Sequence, residues 1–384
     1  MRRIGPVIYV GFLLLPLFCW PGLERPFSTP KLWLLGGLDA AVAALYLLQR
    51  PGIAGGLSGA DWSWLAWLAA LSISALSAPY ASFGALLLML LPLPLFLALD
   101  RGLLSPDRVM RAILWSTAVL AAIASLQYCG LDPLRLTGWA PEAFSSPRMR
   151  VYGTLGNPAF VAAWICATLP LAIAKACRRR GWWALVGLQV LAIAATGSRV
   201  FLLALPAAAA VAFLRGARGS KWLLAGVPVA VALLWLSPAR PLPETVEGRL
   251  YLARVAAAHW REVPVFGFGP GAFRPQFALW QVEWLNVHGP HSARFAGDVD
   301  HAHNDYLEIF VEYGPAGLAV FLGLCGWLVA SAWRIPGAAA CAVAALLAIA
   351  CVDFPFHRPA EWALFWLLLG SMGLRVHQMQ KKED

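Results

Sequence analysis

Twelve apolar segments run through this chain of 384 residues, and they constrain its fold more than any other feature. A helix needs about 20 mostly apolar residues to cross the hydrocarbon core of a membrane, because no backbone polar group can stay unpaired there. We therefore predict an all-α, polytopic membrane protein with about 12 transmembrane helices. The predicted spans are residues 4–20, 31–49, 62–79, 82–99, 109–129, 158–175, 182–196, 199–215, 221–237, 304–333, 337–353 and 360–376.

The composition excludes a soluble enzyme and argues against a nucleic-acid-binding protein. Hydrophobic residues make up 60% of the chain and charged residues only 13%, far from the balance of a soluble domain. The net charge of +10 is spread between the apolar segments and forms no basic stripe, so no nucleic-acid partner is expected. The seven cysteines lie mostly in apolar runs without a C-x-x-C pair, so we expect neither a disulfide framework nor a zinc site.

The basic residues also indicate the orientation of the chain. Placing the N-terminus in the cytoplasm puts more than half of the 30 lysines and arginines into short cytoplasmic loops or tails, with both termini inside. The first apolar segment follows Arg2 and Arg3 but lacks a convincing small-residue cleavage site, so we interpret it as a retained span. Three regions are expected: transmembrane helices 1 to 9 in residues 1–237, a periplasmic loop domain with short helices in residues 238–303, and helices 10 to 12 with a cytoplasmic tail in residues 304–384.

Arginines in the predicted outer loops indicate a site for an anion. Arg199 follows a tight Thr-Gly-Ser turn at the predicted start of a helix, where a cation opposes the helix dipole unless an anion is bound. Arg150 lies in another outer loop, shortly before Asn157 and Pro158, which form a typical helix start. An arginine that reaches the membrane interface explains Arg199 equally well.

The densest group of polar residues lies at the start of the tenth predicted span. Two histidines, His301 and His303, precede a helix on which Asp305, Glu308 and Glu312 recur at helical spacing and share one face. Ionisable groups at this depth are costly and usually functional, and histidine has an unperturbed pKa of about 6.5, suited to proton abstraction near neutral pH. A capped helix with an acidic first turn is the structural alternative.

Two further groups of polar residues lie on the predicted outer side. Asp298 and Asp300 could hold a divalent cation that neutralises a diphosphate, although the outer arginines could do the same without metal. Asp353, followed by His357 and Arg358, ends the eleventh span and is either part of the same site or only a helix stop.

The long outer segment begins with a predicted amphipathic helix over residues 247–260, which carries Arg249 and Arg254. Pro264 ends this helix. The glycine-rich stretch of residues 266–273 is not a dinucleotide fingerprint, because it follows no strand and lacks the right third glycine. We interpret this stretch as a mobile lid or substrate loop.

Three motifs, in this order and on this topology, resemble the O-antigen ligase and polymerase superfamily of bacterial envelope glycosyltransferases. They are Gly153-Thr154-Leu155-Gly156-Asn157-Pro158, Thr196-Gly197-Ser198-Arg199, and His301-Ala302-His303-Asn304-Asp305-Tyr306-Leu307-Glu308 followed by Glu312-Tyr313-Gly314. The helix with Arg249 and Arg254, the glycine-rich loop and Asp353-Phe354-Pro355 fit the same pattern. The resemblance covers about residues 150–357, and the first five spans resemble the family only in being apolar.

This resemblance implies an all-helical glycosyltransferase of the GT-C type in the bacterial inner membrane. Such an enzyme moves a glycan from undecaprenyl diphosphate to an acceptor hydroxyl, for example on a lipid A-core sugar, at the periplasmic face and without a metal or other cofactor. The implied partners are the lipid-linked glycan donor, the hydroxyl acceptor and membrane lipids. The implied site consists of His303 as base with His301 in support, of Arg199, Arg249, Arg254 and Arg150 for the diphosphate, and of Asn304, Asp305, Glu308, Asn157 and Asp353 as supporting residues.

Other functions are compatible with the same residues. A polymerase that joins lipid-linked repeats, or a transferase that glycosylates a protein, would differ in the acceptor, which no residue reveals. A transporter or flippase for an anionic solute predicts charges or helix breaks near the middle of the membrane, where only Asp39 and the Gly314-Pro315 break are found. A scaffold without activity would leave the histidines without a role.

Overall fold

The fold is known from a computed structural model. It describes residues 4–49, 59–78, 80–139, 151–214, 242–289, 294–333 and 337–383. These residues form helices and their connections, with no β-strand among them. The all-α prediction is therefore confirmed for this part of the chain.

The α-helices are numbered here in chain order. They are α1 (Ile4–Leu14), α2 (Thr29–Gln49), α3 (Gly59–Ser77), α4 (Phe83–Leu90), α5 (Leu93–Asp100), α6 (Pro106–Tyr128), α7 (Pro158–Ala176), α8 (Trp183–Thr196), α9 (Phe201–Leu214), α10 (Leu242–Ala258), α11 (Phe273–His288), α12 (Asp305–Trp333), α13 (Ala338–Ala350) and α14 (Pro359–Glu383). Short 3₁₀ turns cover Pro133–Thr137, Arg180–Trp182, Trp260–Glu262 and Pro355–His357.

Several of these helices are suited to a membrane. Five described helices are long and apolar enough to cross one: Thr29–Leu48, Phe83–Asp100 (α4 and α5 together), Pro106–Tyr128, Pro158–Ala176 and Asp305–Trp327. Three described helices are apolar but shorter: Trp64–Ser77, Phe201–Leu214 and Ala338–Ala350. The chain is therefore a helical membrane protein, whereas the count of twelve spans and the GT-C architecture stay predictions.

The helix bounds differ from the predicted spans mainly at prolines. The predicted span 82–99 consists of two helices, α4 and α5, separated by a turn at Leu91 and Pro92. Proline has no amide hydrogen to continue a helix and clashes with the preceding turn, which accounts for the interruption. The predicted span 221–237 lies outside the described residues.

The centre of the bundle is formed by α7 and α14. Trp164 of α7 is fully buried, and so are Trp362, Phe365 and Trp366 of α14. The ring of Trp366 packs edge-on against Phe96 of α5, with 5.6 Å between ring centroids. Burying such large side chains removes most of their surface from lipid or water. It also fixes the first turns of α7 and α14, which lie next to the candidate site described below.

A buried lysine holds three segments together near the start of α7. The ammonium of Lys31 in α2 donates to the backbone carbonyls of Phe18 at 2.9 Å, Phe27 at 2.7 Å and Thr154 at 2.8 Å. Each of its three protons therefore has an acceptor, which is the condition under which a buried charge is tolerated. The hydroxyl of Thr154 adds a bond of 2.7 Å to the carbonyl of Pro16.

The glycine-rich loop is packed against a break in α12. Gly314 interrupts this helix with a φ of 71°, and a Cβ at this position would overlap the carbonyl oxygen of Val265. A Cβ at Gly267 would in turn overlap the carbonyl of Glu312, which instead accepts a bond of 2.9 Å from the amide of Gly269. The stretch interpreted from sequence as a mobile lid is thus held against α12 by backbone contacts. Glycine is required where the two backbone segments touch.

The helices α10 and α11 pack on a small core of their own. Tyr251, Val255, Phe277 and Trp280 are buried in it, together with Val311 on one face of α12. The helices α10 and α11 are thereby fixed to α12, the helix that carries Asp305, Glu308 and Glu312.

Candidate functional site

The first turns of α12 carry three buried carboxylates. Asn304 caps the helix, because its Oδ1 accepts a bond of 3.0 Å from the amide of Leu307. Asp305, Glu308 and Glu312 follow on one face, and each is at most 1% exposed. Buried carboxylates are stable only when they are paired and hydrogen-bonded, so their partners define the site.

His357 is the main partner of these carboxylates. Its Nδ1 donates to Asp305 at 2.6 Å, and its Nε2 lies 3.6 Å from an oxygen of Glu308 and 3.6 Å from one of Glu312. The second oxygen of Asp305 accepts a bond of 2.8 Å from the amide of Phe356. Burial opposes protonation of His357, but the Glu308 carboxylate, the hydrogen bond to Asp305 and the nearby Glu312 carboxylate outweigh burial and raise the pKa of this imidazole well above its ordinary value.

His301 is fixed by a carboxylate of the same helix. Its Nδ1 donates to Glu308 at 2.7 Å, and the other oxygen of Glu308 accepts a bond of 2.9 Å from the amide of Ala302. This bond leaves Nε2 of His301 as the free nitrogen. The side chain of His301 is 30% exposed, whereas that of Glu308 is 2% exposed, so the imidazole lies between the buried acid and the opening of the site.

His303 has a similar but looser arrangement. Its Nδ1 lies 3.7 Å from Asp353, and its side chain is 42% exposed. Its backbone has a φ of 50°, a left-handed conformation that is uncommon for a residue other than glycine. Local strain of this kind persists only where the surroundings impose it and is frequent at functional sites.

An aromatic ring and an arginine pack against these histidines and carboxylates. The ring of Phe354 stacks on His301 at 4.1 Å between centroids and meets His303 edge-on at 5.2 Å. The guanidinium of Arg358 lies 4.1 Å from the centre of the Phe160 ring in α7 and 3.2 Å from Asp353. Arg358 is only 5% exposed, so it holds the Asp353 carboxylate behind His303 from inside the protein.

This geometry suits proton transfer at the opening. Two imidazoles have accessible edges, and each has a buried carboxylate behind it that can orient the ring and stabilise its protonated form. The term histidine cluster is used below for His301, His303 and His357.

The four arginines predicted to bind the diphosphate differ in their burial and in their interactions with the candidate site. Arg249 is half-buried on α10; burial lowers its pKa, and its charge interacts with that of Asp353. Arg254 is exposed, and five residues of helix place it about 140° around the axis from Arg249. Arg199 is half-buried and forms no ion pair with the side chains that the structure describes. Arg150 lies outside the described residues.

The remaining predicted residues have clear positions. Asn157 is the N-cap of α7, as predicted, and its Oδ1 accepts a bond of 2.8 Å from the amide of Ala159. It lies one turn before Phe160, which contacts Arg358. Gly197 ends α8 in the left-handed conformation, with a φ of 61°, so the predicted turn before Arg199 is confirmed.

Two groups of described side chains have a spacing that could hold a metal ion. One consists of Glu308, Glu312 and His357 at the candidate site, and the other consists of His259, Glu262 and Glu283 near the end of α10. The aspartates considered for a cation in the sequence, Asp298 and Asp300, are both exposed and both pair with the guanidinium of Arg274.

The sequence singled out two of the three charged residues that complete the site around Asp353. His357 and Arg358 were named with Asp353 as either part of the same site or only a helix stop, whereas Glu361, which lies 3.4 Å from Arg358, was not considered. A usable signal was present, because Glu361 is an acid inside an apolar span and such residues are usually functional or paired.

Part of this chain is similar to a known protein family. Residues 184–322 match the family model described as O-antigen ligase, which is just over a third of the chain. This match supports membership of the O-antigen ligase and polymerase superfamily. The O-antigen ligase match contains His301, His303 and the three carboxylates of α12, whereas Asp353, His357 and Arg358 follow it. No curated protein matches the chain.

Proposed function

We propose that this protein is an O-antigen ligase-type glycosyltransferase. It transfers a glycan from undecaprenyl diphosphate to an acceptor hydroxyl, a lipid A-core sugar in the first instance, at the periplasmic face of the inner membrane. Both termini are cytoplasmic in this proposal, and the transfer uses no metal or other cofactor.

The observation that carries the proposal is the arrangement of His303 and His301 within the family match. Both imidazoles are partly exposed, at 42% and 30% of their side chains, and both have a buried carboxylate behind them. A transporter would not need two such pairs at one end of the bundle, whereas a transferase needs a base at the point where its acceptor enters.

The reaction assigns a role to each charge. His303 accepts the proton of the acceptor hydroxyl, whose oxygen forms a bond to the anomeric carbon of the glycan. The bond from that carbon to the diphosphate oxygen breaks, and undecaprenyl diphosphate leaves with the electron pair. Arg199 and Arg249 bind this leaving group and stabilise its growing negative charge, with Arg254 and Arg150 as further candidates.

Asp353 and Glu308 position the two imidazoles in this mechanism. Asp353 is held by Arg358 and stabilises protonated His303, while Glu308 fixes the ring of His301. Phe354 separates the two rings and limits their rotation.

The test is a transfer assay with purified protein in detergent. The protein is incubated with a glycan linked to undecaprenyl diphosphate and, in parallel, with lipid A-core, a second lipid-linked repeat or a serine-containing peptide. Mass spectrometry identifies the product and thereby separates ligase, polymerase and protein glycosylation. Absence of transfer to every acceptor, with the donor intact, would contradict the proposed function.

A further inference from the structure

A second charged site lies far from the histidine cluster. A cavity of about 320 Å³ opens where the start of α6, the end of α7 and the connection to α8 meet. This volume is at the lower end of the range for small-molecule binding sites, which begins at about 300 Å³. The residues that line it are Asp107, Arg111, Lys175, Arg178, Arg179 and Trp182.

The cavity and the histidine cluster are at opposite ends of α7. Phe160, in the first turn of this helix, contacts Arg358 of the candidate site. Lys175, in its last turn, lines the cavity. At about 1.5 Å per residue, the two positions are about 22 Å apart along the helix axis. If the histidines face one side of the membrane, the cavity therefore faces the other.

The charges around the cavity do not balance. Four cations face one carboxylate, that of Asp107. Lys175 pairs with Asp107 at 3.0 Å, and Nε of Arg111 donates to the backbone carbonyl of the same residue at 3.2 Å. Arg178 and Arg179 are exposed, and neither forms an ion pair with a described residue. Positive charge is thus left for an anion from outside the chain.

Aromatic side chains border the cationic cavity. Trp182 lines it, and its ring packs against Trp115 with 5.7 Å between centroids. Trp115 is 59% exposed on the outer surface of α6. Tryptophans concentrate at the level of lipid headgroups, where an apolar ring and a polar edge are both satisfied. A cationic cavity with an apolar rim matches a ligand that has a charged head and hydrocarbon chains.

We propose that this cavity binds the headgroup of an anionic phospholipid. Arg178 and Arg179 bind the phosphate oxygens, Lys175 adds charge behind them, and the acyl chains lie along Trp115 and Trp182. Basic pockets between transmembrane helices on the cytoplasmic side have this chemistry. The binding is independent of the glycan transfer, so each proposal can fail without the other.

Binding can be measured with purified full-length protein in neutral detergent. Phosphatidylglycerol, phosphatidylcholine and inorganic phosphate are each titrated, with the unfolding temperature and the lipid adducts seen by native mass spectrometry as readouts. We expect phosphatidylglycerol to raise the unfolding temperature and to be retained as an adduct, with little effect of the other two. Equal stabilisation by inorganic phosphate would overturn the lipid assignment, and equal retention of phosphatidylcholine would overturn the role of the charge.

A pair of double variants tests the location. Arg178→Gln/Arg179→Gln should weaken binding of phosphatidylglycerol roughly thirtyfold, on the usual contribution of a basic residue near an anionic lipid. Arg108→Gln/Arg180→Gln removes the same charge from exposed positions outside the cavity and should retain most of the affinity. If both double variants lose affinity equally, attraction to the general surface charge replaces the proposed site. All four positions are exposed, and the contact of Arg108 with the Tyr9 ring, 5.8 Å from its centre, is worth at most about 1 kcal/mol. Both variants should therefore keep nearly the unfolding temperature of the parent without lipid.

Discussion

His357 and Asp305 join the turn after α13 to the first residue of α12. Nδ1 of His357 lies 2.6 Å from Oδ1 of Asp305, and both side chains are at most 5% exposed. Through Nε2 the same ring approaches Glu308, which holds His301. The orientation of an imidazole at the opening therefore depends on a buried ion pair behind it.

The stability of this protein should depend on the protonation of His357. Its pKa is raised in the folded state, so its contribution is fully present below the unfolded pKa of about 6.5 and is lost as pH rises through the folded value. We expect the unfolding temperature of the parent to fall between pH 7 and pH 9, and His357→Gln to show a shallower slope. Breaking the buried pair should also cost about 3 to 5 kcal/mol near pH 6. Thermal unfolding in detergent across this pH range measures both effects.

His288→Gln is a suitable control for this experiment, since His288 is exposed on α11. It should keep the slope of the parent. The facing groups Asp305, Glu308 and Glu312 stay in place in both variants. Equal slopes for the parent and His357→Gln would show that the imidazole is not the group that titrates.

His303→Gln should reduce glycan transfer about 10² to 10⁴-fold while the protein stays folded. This is the usual contribution of a positioned base. Turnover of the lipid-linked donor under saturating acceptor is the measurement, with unfolding temperature as the check on folding. His301→Gln serves as the comparison: if it abolishes transfer and His303→Gln retains it, the base is His301 and the order of the two roles is reversed.

Arg199→Lys should lower transfer by about a hundredfold if its guanidinium grips the departing diphosphate. A lysine keeps the charge but loses the planar fork that binds two phosphate oxygens, and one such donor at a transition state is worth on the order of 3 kcal/mol. Arg25→Lys provides the control, because Arg25 lies in the connection between α1 and α2 and has no assigned role. A fully active Arg199→Lys protein would leave Arg199 as an interface anchor.

Gly314→Ala should destabilise the docking of the glycine-rich loop. The new Cβ would overlap the carbonyl of Val265 at a positive φ, and overpacking of this kind typically costs about 1 to 3 kcal/mol. Gly323→Ala, nine residues later on α12, meets nothing within 4 Å and should be neutral or slightly stabilising. Limited proteolysis of residues 264–271 and thermal unfolding would register the difference, and equal behaviour of the two variants would contradict tight docking.

The sequence predicted the helices well because hydropathy and caps act locally. The start of α7 at Asn157-Pro158 and the turn at Gly197 were found at the expected residues, since a cap needs only its own neighbours. The sequence did not predict that the glycine-rich loop packs against α12. The backbone that Gly267 contacts belongs to α12, and nothing in the loop itself specifies that contact.

The sequence predicted only the part of the candidate site that lies on α12. The spacing of Asp305, Glu308 and Glu312 showed that their carboxylates share a face. That His357 enters between them depends on how α13 and α12 pack, and a helix-stop motif gives no sign of this long-range pairing. For the same reason the helical spacing could not show that Arg249 is half-buried near Asp353 while Arg254 is exposed.

The caged ammonium of Lys31 makes this residue a natural reporter of intact folding. All three of its protons are engaged and the residue is 1% exposed, so an amine-acylating reagent should not modify it in the folded protein. Lys175, with a side chain 25% exposed, should react under the same conditions. The ratio of the two modified peptides would tell a well-folded detergent preparation from a damaged one before any assay is begun.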